Sequence, residues 1–408
     1  MELLSLDGVI EKGVFEIPSY QRGYAWQERQ LKDFWNDLEH VSKLGDKFHY
    51  MHSLTLRGLE NEFEDSVFEI IDGQQRLATS LILLGLLAKI TQHKDPKYNS
   101  MNLEPVLSYK YYGLNEAFRA IMGEEKDLER FQTSFYAKNL IDAHAFFKEK
   151  ISDTPMETLE KMFDALIKKM LFSVAELNDN RIDPFSSFET INNRGKDLST
   201  LELFKNHLHF VAHKICNEED LENLQNEINK TYTIIYYDLR QFKDDDLERF
   251  LKHFVAYYYG ENSNKFKERL LEMEFNAHKR YTYNTPFSDE YEKIDELLFY
   301  LSYSSKVWNF LHTLDEKAIT IIFNDNKKLE TEITPKTRTL LEKMRRLNAL
   351  SDNAFLPLLL SLFTIQLVGK NANKQPYTTK ELEGLLEYLE RFGFLIYGVA
   401  GKNTAKNE

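Results

Sequence analysis

One junction constrains this chain more than any other. The apolar run Ser66-Val67-Phe68-Glu69-Ile70-Ile71 stops at Asp72-Gly73, and a second apolar run begins only a few residues later, with Leu77, Leu81, Leu84 and Ala88 at helical spacing. The first run is short and β-branched, so it reads as a strand over 66–71. The second reads as a helix from near Arg76 to Ile90. Between them lie five small or polar residues, Asp72-Gly73-Gln74-Gln75-Arg76. Glycine permits a sharp turn and close backbone approach, and a helix starting just beyond it aims free N–H groups at whatever occupies the turn.

That arrangement suits an anion. Arg76 adds a fork of donors matched to phosphate oxygens, and Asp72 is the residue placed to hold a divalent cation such as Mg2+ or to orient water. Gln74 and Gln75 are candidates to position a water by hydrogen bonds, although an amide does not take up a proton near neutral pH. The plain alternative is a surface turn with solvated glutamines and a locally paired arginine.

Two further constellations accompany it. Gln21-Arg22 lies within IPSYQRGYAW, an aromatic-rich loop or irregular strand that Pro18 and Gly23 keep from being helical, just ahead of an amphipathic helix over 28–41. Arg22 is a candidate phosphate ligand, and the rings either meet a base or close the core. Asn192-Asn193-Arg194-Gly195-Lys196 reads as a turn, with Asn192 and Gly195 suited to wrapping an anion. The helix that follows, capped by Ser199 or Thr200, carries Lys205, which either reaches inward or is a solvated helical lysine.

Coarse patterning gives α+β architecture. Strands are expected over 49–57, 66–71 and 171–177, helices fill most of 112–180, and almost only helical periodicity follows about 217. The expected division is an N-terminal domain over 1–215 with a helical insertion and an all-helical domain over 216–408. Phe131, Phe135, Phe146, Phe147, Phe163 and Leu166 are the expected core of the insertion.

Composition removes several function classes. No apolar run approaches the length of a bilayer span, and no basic-then-apolar leader opens the chain. The single cysteine, Cys216, cannot form an intrachain disulfide, so a cytoplasmic address is expected. A net charge of -13 opposes coating DNA by bulk electrostatics, leaving any nucleic-acid contact to a local patch. There is no GxxxxGK[ST] loop, no GxGxxG run and no HExxH pair.

Three motifs in one order, IPSYQRGYAW, IIDGQQRLATS and FETINNRGKDLSTLELFKNHL, closely resemble the DUF262 family, the N-terminal module of GmrSD-type modification-dependent restriction systems. The resemblance implies a ParB/sulfiredoxin-like N-terminal fold. It also implies binding and hydrolysis of an NTP with Mg2+, in defence against phage or other modified foreign DNA. Matched position by position, Asp72, Gly73, Gln74, Gln75 and Arg76 become the central nucleotide and phosphate site. Gln21, Arg22, Asn192, Gly195 and Lys205 become its further ligands. Many relatives carry a C-terminal HNH-type nuclease module, and no such signature occurs here. The expectation is a regulatory NTPase that works with a nuclease domain or partner subunit absent from this chain, with self-association left open. The competing reading is a DNA-binding or modification-sensing module without turnover, and a third makes the helical half an interaction scaffold.

Overall fold

The computed structural model describes residues 2–59, 66–110, 113–123, 125–177, 199–260, 265–273, 287–316, 335–351, 354–369 and 377–399. The chain divides into two compact units, Met1–Leu198 and Ser199–Glu408. The helix bearing Lys205 therefore belongs with the second unit, while the boundary expected at 215 puts it at the end of the first.

The first unit is α+β. A mixed sheet has the order β1-β6-β3-β4-β2-β5, formed by β1 (Glu2–Ser5), β2 (Val14–Ile17), β3 (His49–Leu59), β4 (Val67–Asp72), β5 (Leu107–Tyr109) and β6 (Met170–Glu176). β3, β4 and β6 fall where apolar runs predict them. β1 and β5 are too short to carry a pattern of their own, and each gains its strand conformation from its neighbour, β1 antiparallel to β6 and β5 parallel to β2. The segment 10–17, one interrupted apolar run in the sequence, is helix α1 (Leu6–Lys12) followed by β2, with Gly13 between them at φ 151°.

β2 and β4 run parallel, with Phe15 beside Phe68. Their carboxyl ends therefore open on the same edge of the sheet, which brings the loop after β2 (18–27) against the turn after β4 (72–76). In sheets of this kind that edge is where ligands bind. The loop then enters helix α2 (Glu28–Lys43), whose Leu31, Phe34, Trp35, Leu38 and Val41 are buried.

Helix α3 (Gln74–Ile90) starts directly from the turn and is buried on nearly all sides, against the helices Phe135–Ser152 and Met156–Lys169. The spacing of Leu77, Leu81, Leu84 and Ala88 predicts one apolar stripe. Ile82, Leu83 and Leu87 bury the other faces, and Thr79 and Ser80 become tolerable inside because their hydroxyls donate to Gln75 O and Arg76 O at 2.7 and 2.8 Å. Of the six residues expected in the core of the insertion, Phe147, Phe163 and Leu166 are fully enclosed, whereas Phe131, Phe135 and Phe146 are partly exposed and Tyr136 takes the inner position beside Phe135.

The second unit is helical throughout its described residues, including Thr200–Ile215, Glu218–Asp238, Asp244–Tyr259, Phe287–Thr313, Pro335–Ser351, Leu356–Val368 and Thr379–Gly393. Its core is built on large rings. Trp308 lies fully buried with the Phe250 ring 5.7 Å away. No described helix is long and apolar enough to cross a membrane.

Candidate functional site

The turn between β4 and α3 is made possible by Gly73, which caps α3 at φ 101°, ψ 0°. A Cβ there would sit 2.9 Å from Leu54 Cδ1 and 3.0 Å from Ser53 O, so the position excludes side chains by space as well as by backbone conformation. Having no side chain to offer, Gly73 leaves the first turn of α3 without a side-chain cap. The backbone donors at this end of a 17-residue helix retain their attraction for an anion.

Three glutamines join the two segments. Gln21 Nε2 donates to Ile70 O and, at 3.1 Å, to Ile71 O. Gln74 Nε2 donates to Arg22 O at 3.1 Å. Gln75 uses both ends of its amide, accepting from Ala25 N at 2.8 Å and donating to Gly23 O at 3.0 Å. All three are buried. A carboxamide is the side chain that can imitate a peptide group in both directions, so Gln75 extends the sheet's hydrogen bonding into a loop that has no strand partner. At about 1 kcal/mol net for each neutral bond, and more for each buried group left unpaired, these contacts hold the loop 21–25 firmly to the turn.

The loop is pinned from the other side as well. Tyr24 Oη lies 2.6 Å from Thr79 Oγ1, and Asn139 Nδ2 donates to Tyr24 O at 3.3 Å. Gly23 packs so closely on Tyr136 that a Cβ would fall 2.4 Å from the ring. The aromatics of this motif thus close the core: Tyr20 and Tyr24 are buried, and Trp26 meets Phe34 with ring centroids 6.1 Å apart.

The charged members are arranged differently. Arg76 Nη2 donates to Ser53 O at 2.7 Å and to Asp72 Oδ2 at 3.0 Å, and Ser53 Oγ donates to that same carboxylate oxygen at 2.8 Å. One guanidinium nitrogen thus fixes the group. Among the described residues, Arg76 Nη1 and Nε and Asp72 Oδ1 have no hydrogen-bond partner, and Arg22, half-buried, has none for its side chain. In the sequence Ser53 carries no signal of its own, being a serine inside a strand; only the pairing of β3 with β4 brings it to Asp72.

For a cation the site is sparse. Asp72 Oδ1 is the carboxylate oxygen left open in the turn, and the described residues contain no group of three His, Cys, Asp or Glu able to hold a metal. That fits an ion carried mainly by ligand phosphates and water, as magnesium commonly is.

Asn192 and Gly195 lie outside the described residues. Lys205 lies in the second unit and is only 1% exposed, so the solvated helical lysine is excluded. Burial pushes its ammonium well below the usual lysine range, with Glu202 acting in the opposite direction. Glu202 itself completes a capping box with Ser199, accepting from Ser199 N at 2.7 Å. Ser199 is therefore the cap of this helix.

No curated protein matches the chain. Residues 4–209 match a family described as the N-terminal domain of the GmrSD restriction endonuclease.

Proposed function

Because this chain belongs to the GmrSD restriction endonuclease N-terminal domain family, and is therefore a restriction-system module, we propose that the turn 72–76 is an NTP-binding and NTP-hydrolysing site that regulates cleavage of modified DNA. The observation that carries this reading is the divided use of Arg76. One nitrogen locks Asp72 and Ser53 in place, and the others stay open beside an uncapped helix N-terminus and the unpaired Arg22. Phosphate oxygens supply the acceptors that all three lack.

In this reading Arg76 and Arg22 neutralise charge on the phosphoryl group as it transfers, and the backbone donors of α3 hold the non-transferred oxygens. A magnesium ion entering with the nucleotide would find its protein ligand in Asp72 Oδ1 and supply further charge neutralisation. Gln21, Gln74 and Gln75 act by keeping Arg22 and the helix start in register, since all three amide nitrogens donate to backbone carbonyls and Gln75 also accepts from Ala25 N. Gln75, with both ends of its amide engaged, positions the loop in this reading, whereas Gln74 keeps an unpaired carbonyl oxygen.

The test is phosphate release from each common NTP with magnesium, comparing the native chain with Arg76→Ala and Arg22→Ala. Loss of release by a hundredfold or more in Arg76→Ala is expected, on the order of 3 kcal/mol of transition-state stabilisation. Release that survives Arg76→Ala unchanged would sink the assignment. One observation favours a second reading, in which the same cradle holds a DNA backbone phosphate without turnover: the one open carboxylate oxygen of the turn, Asp72 Oδ1, is already called on as the magnesium ligand, and no other side chain of the turn takes up a proton from water. Salt-dependent DNA binding without phosphate release would decide for it.

A further inference from the structure

The strand that delivers Ser53 to the site begins with a group of exposed rings. Phe48 is 61% exposed and Tyr50 54%, and His52, also exposed, holds its ring 5.2 Å from that of Tyr50. Large aromatics left open at the start of a strand are unfavourable in water unless something covers them. The backbone here is also irregular. Tyr50 pairs with Leu171 and Ser53 with Ser173, so β3 spends three steps where β6 spends two. The extra residue is accommodated with His52 at φ 65°, in the left-handed region that side chains other than glycine rarely adopt. A bulge of this kind re-aims the residues on either side of it. On one side it sets Ser53, whose hydroxyl and carbonyl hold Asp72 and Arg76. On the other it leaves Tyr50 and His52 in solvent.

We propose that Tyr50, with His52 beside it, is a stacking shelf for the base of a nucleoside triphosphate whose phosphates lie on Arg76 and the start of α3. The inference rests on the phosphate-site reading and adds to it the half of the ligand which that reading leaves unplaced. At roughly 3.3 Å per residue, Tyr50 stands about 10 Å along the strand from Ser53, a spacing comparable to that between the terminal phosphate and the base of an extended nucleotide. The face of a tyrosine accepts any base, so the shelf contributes affinity and little base selectivity. The strain at His52 is retained because a regular strand would carry Ser53 and Tyr50 out of their relation to each other.

The experiment compares binding of ATP and GTP with binding of inorganic tripolyphosphate, by calorimetry on the full chain, for the native protein, Tyr50→Ala, Tyr50→Trp and Arg76→Ala. Tyr50 is exposed, so its replacement leaves the fold intact. Tyr50→Ala is expected to weaken both nucleotides about tenfold or more and leave tripolyphosphate unchanged, with Tyr50→Trp restoring nucleotide affinity. Arg76→Ala is expected to weaken all three ligands. Nucleotide affinity unchanged in Tyr50→Ala, while Arg76→Ala abolishes it, overturns the shelf and leaves the phosphate site standing. Equal weakening of nucleotide and tripolyphosphate in Tyr50→Ala overturns it too. Failure of the native chain to bind either nucleotide or tripolyphosphate refutes the phosphate-site reading itself.

Discussion

The two units bury polar side chains in contrasting ways. At the edge of the sheet the first unit buries amides, Gln21, Gln74 and Gln75, whose partners are backbone groups. The helical unit buries ionisable groups. Burial moves His209 down to about 3 and His253 to about 4, and it raises Asp238 to about 6, with the Ser305 hydroxyl at 2.9 Å pulling the other way. A buried amide holds a loop identically at every pH, whereas a buried acid or base makes folding depend on protons. The clamp on the loop 21–25 is thus independent of pH, the helical region responds to acidity, and in the first unit Glu69 on β4, raised by burial and paired with Arg57, is the comparable buried acid.

The sharpest way to break that contrast is to put a titratable group in place of the central amide. In Gln75→Glu the protonated acid still accepts from Ala25 N and donates to Gly23 O, but the carboxylate loses the donor and is buried. Its folded pKa is expected above the unfolded value, so stability is near native below about pH 4 and is lost as pH rises, by about 3 kcal/mol at pH 8. Urea unfolding at pH 4, 6 and 8 measures it. A variant equally stable at all three would mean that the glutamine amide is not the clamp described here.

The converse substitution removes a titratable group from the helical unit. Asp238 has a raised folded pKa, so it costs nothing below the unfolded value near 4 and destabilises increasingly as pH climbs through about 6. Asp238→Asn keeps an acceptor for Ser305. It should match the native chain at pH 4 and exceed it at pH 8 by about 2 kcal/mol, read from the same denaturation series. His209 and His253 act with the opposite slope. Their neutral forms contribute stability above the unfolded value near 6.5, and this is lost as pH falls toward 4. Replacing both by Gln should flatten that acid limb, monitored by tryptophan fluorescence, since the His253 ring lies 5.4 Å from Trp308.

A smaller effect separates the two adjacent glutamines. Gln74 makes one bond to the loop and Gln75 makes two. Gln74→Ala is therefore expected to cost about 1 kcal/mol and Gln75→Ala about 2 to 3, because the latter strands a buried N–H and a buried carbonyl. Equal losses in thermal melts would show that burial, and not the count of bonds, sets the cost. The smallest effect belongs to the exposed pair Lys32–Glu28 on α2, where Lys32→Ala should change stability by less than about 0.5 kcal/mol.

The local grammar of the site was legible in the sequence. A β-branched run, an Asp-Gly break and an apolar helix pattern locate β4, the turn and α3 within a residue or two, because each depends on neighbours along the chain. Ser199 with Glu202 likewise marks the start of the helix bearing Lys205. What sequence could not supply is partnership between residues 19 to 50 apart in the chain. Nothing in Gln75 distinguishes a water-positioning amide from a clamp on Ala25, and nothing in Ser53 announces Asp72. The first role follows from β2 and β4 lying parallel, so that two loops distant in the chain leave the sheet at one edge, and the second from β3 pairing with β4. The chain by itself determined where a sharp turn and a helix start must fall, through backbone sterics and hydrophobic period. Tertiary structure alone decided which polar groups there are used up and which are left open, because a hydrogen bond is settled by where its partner stands.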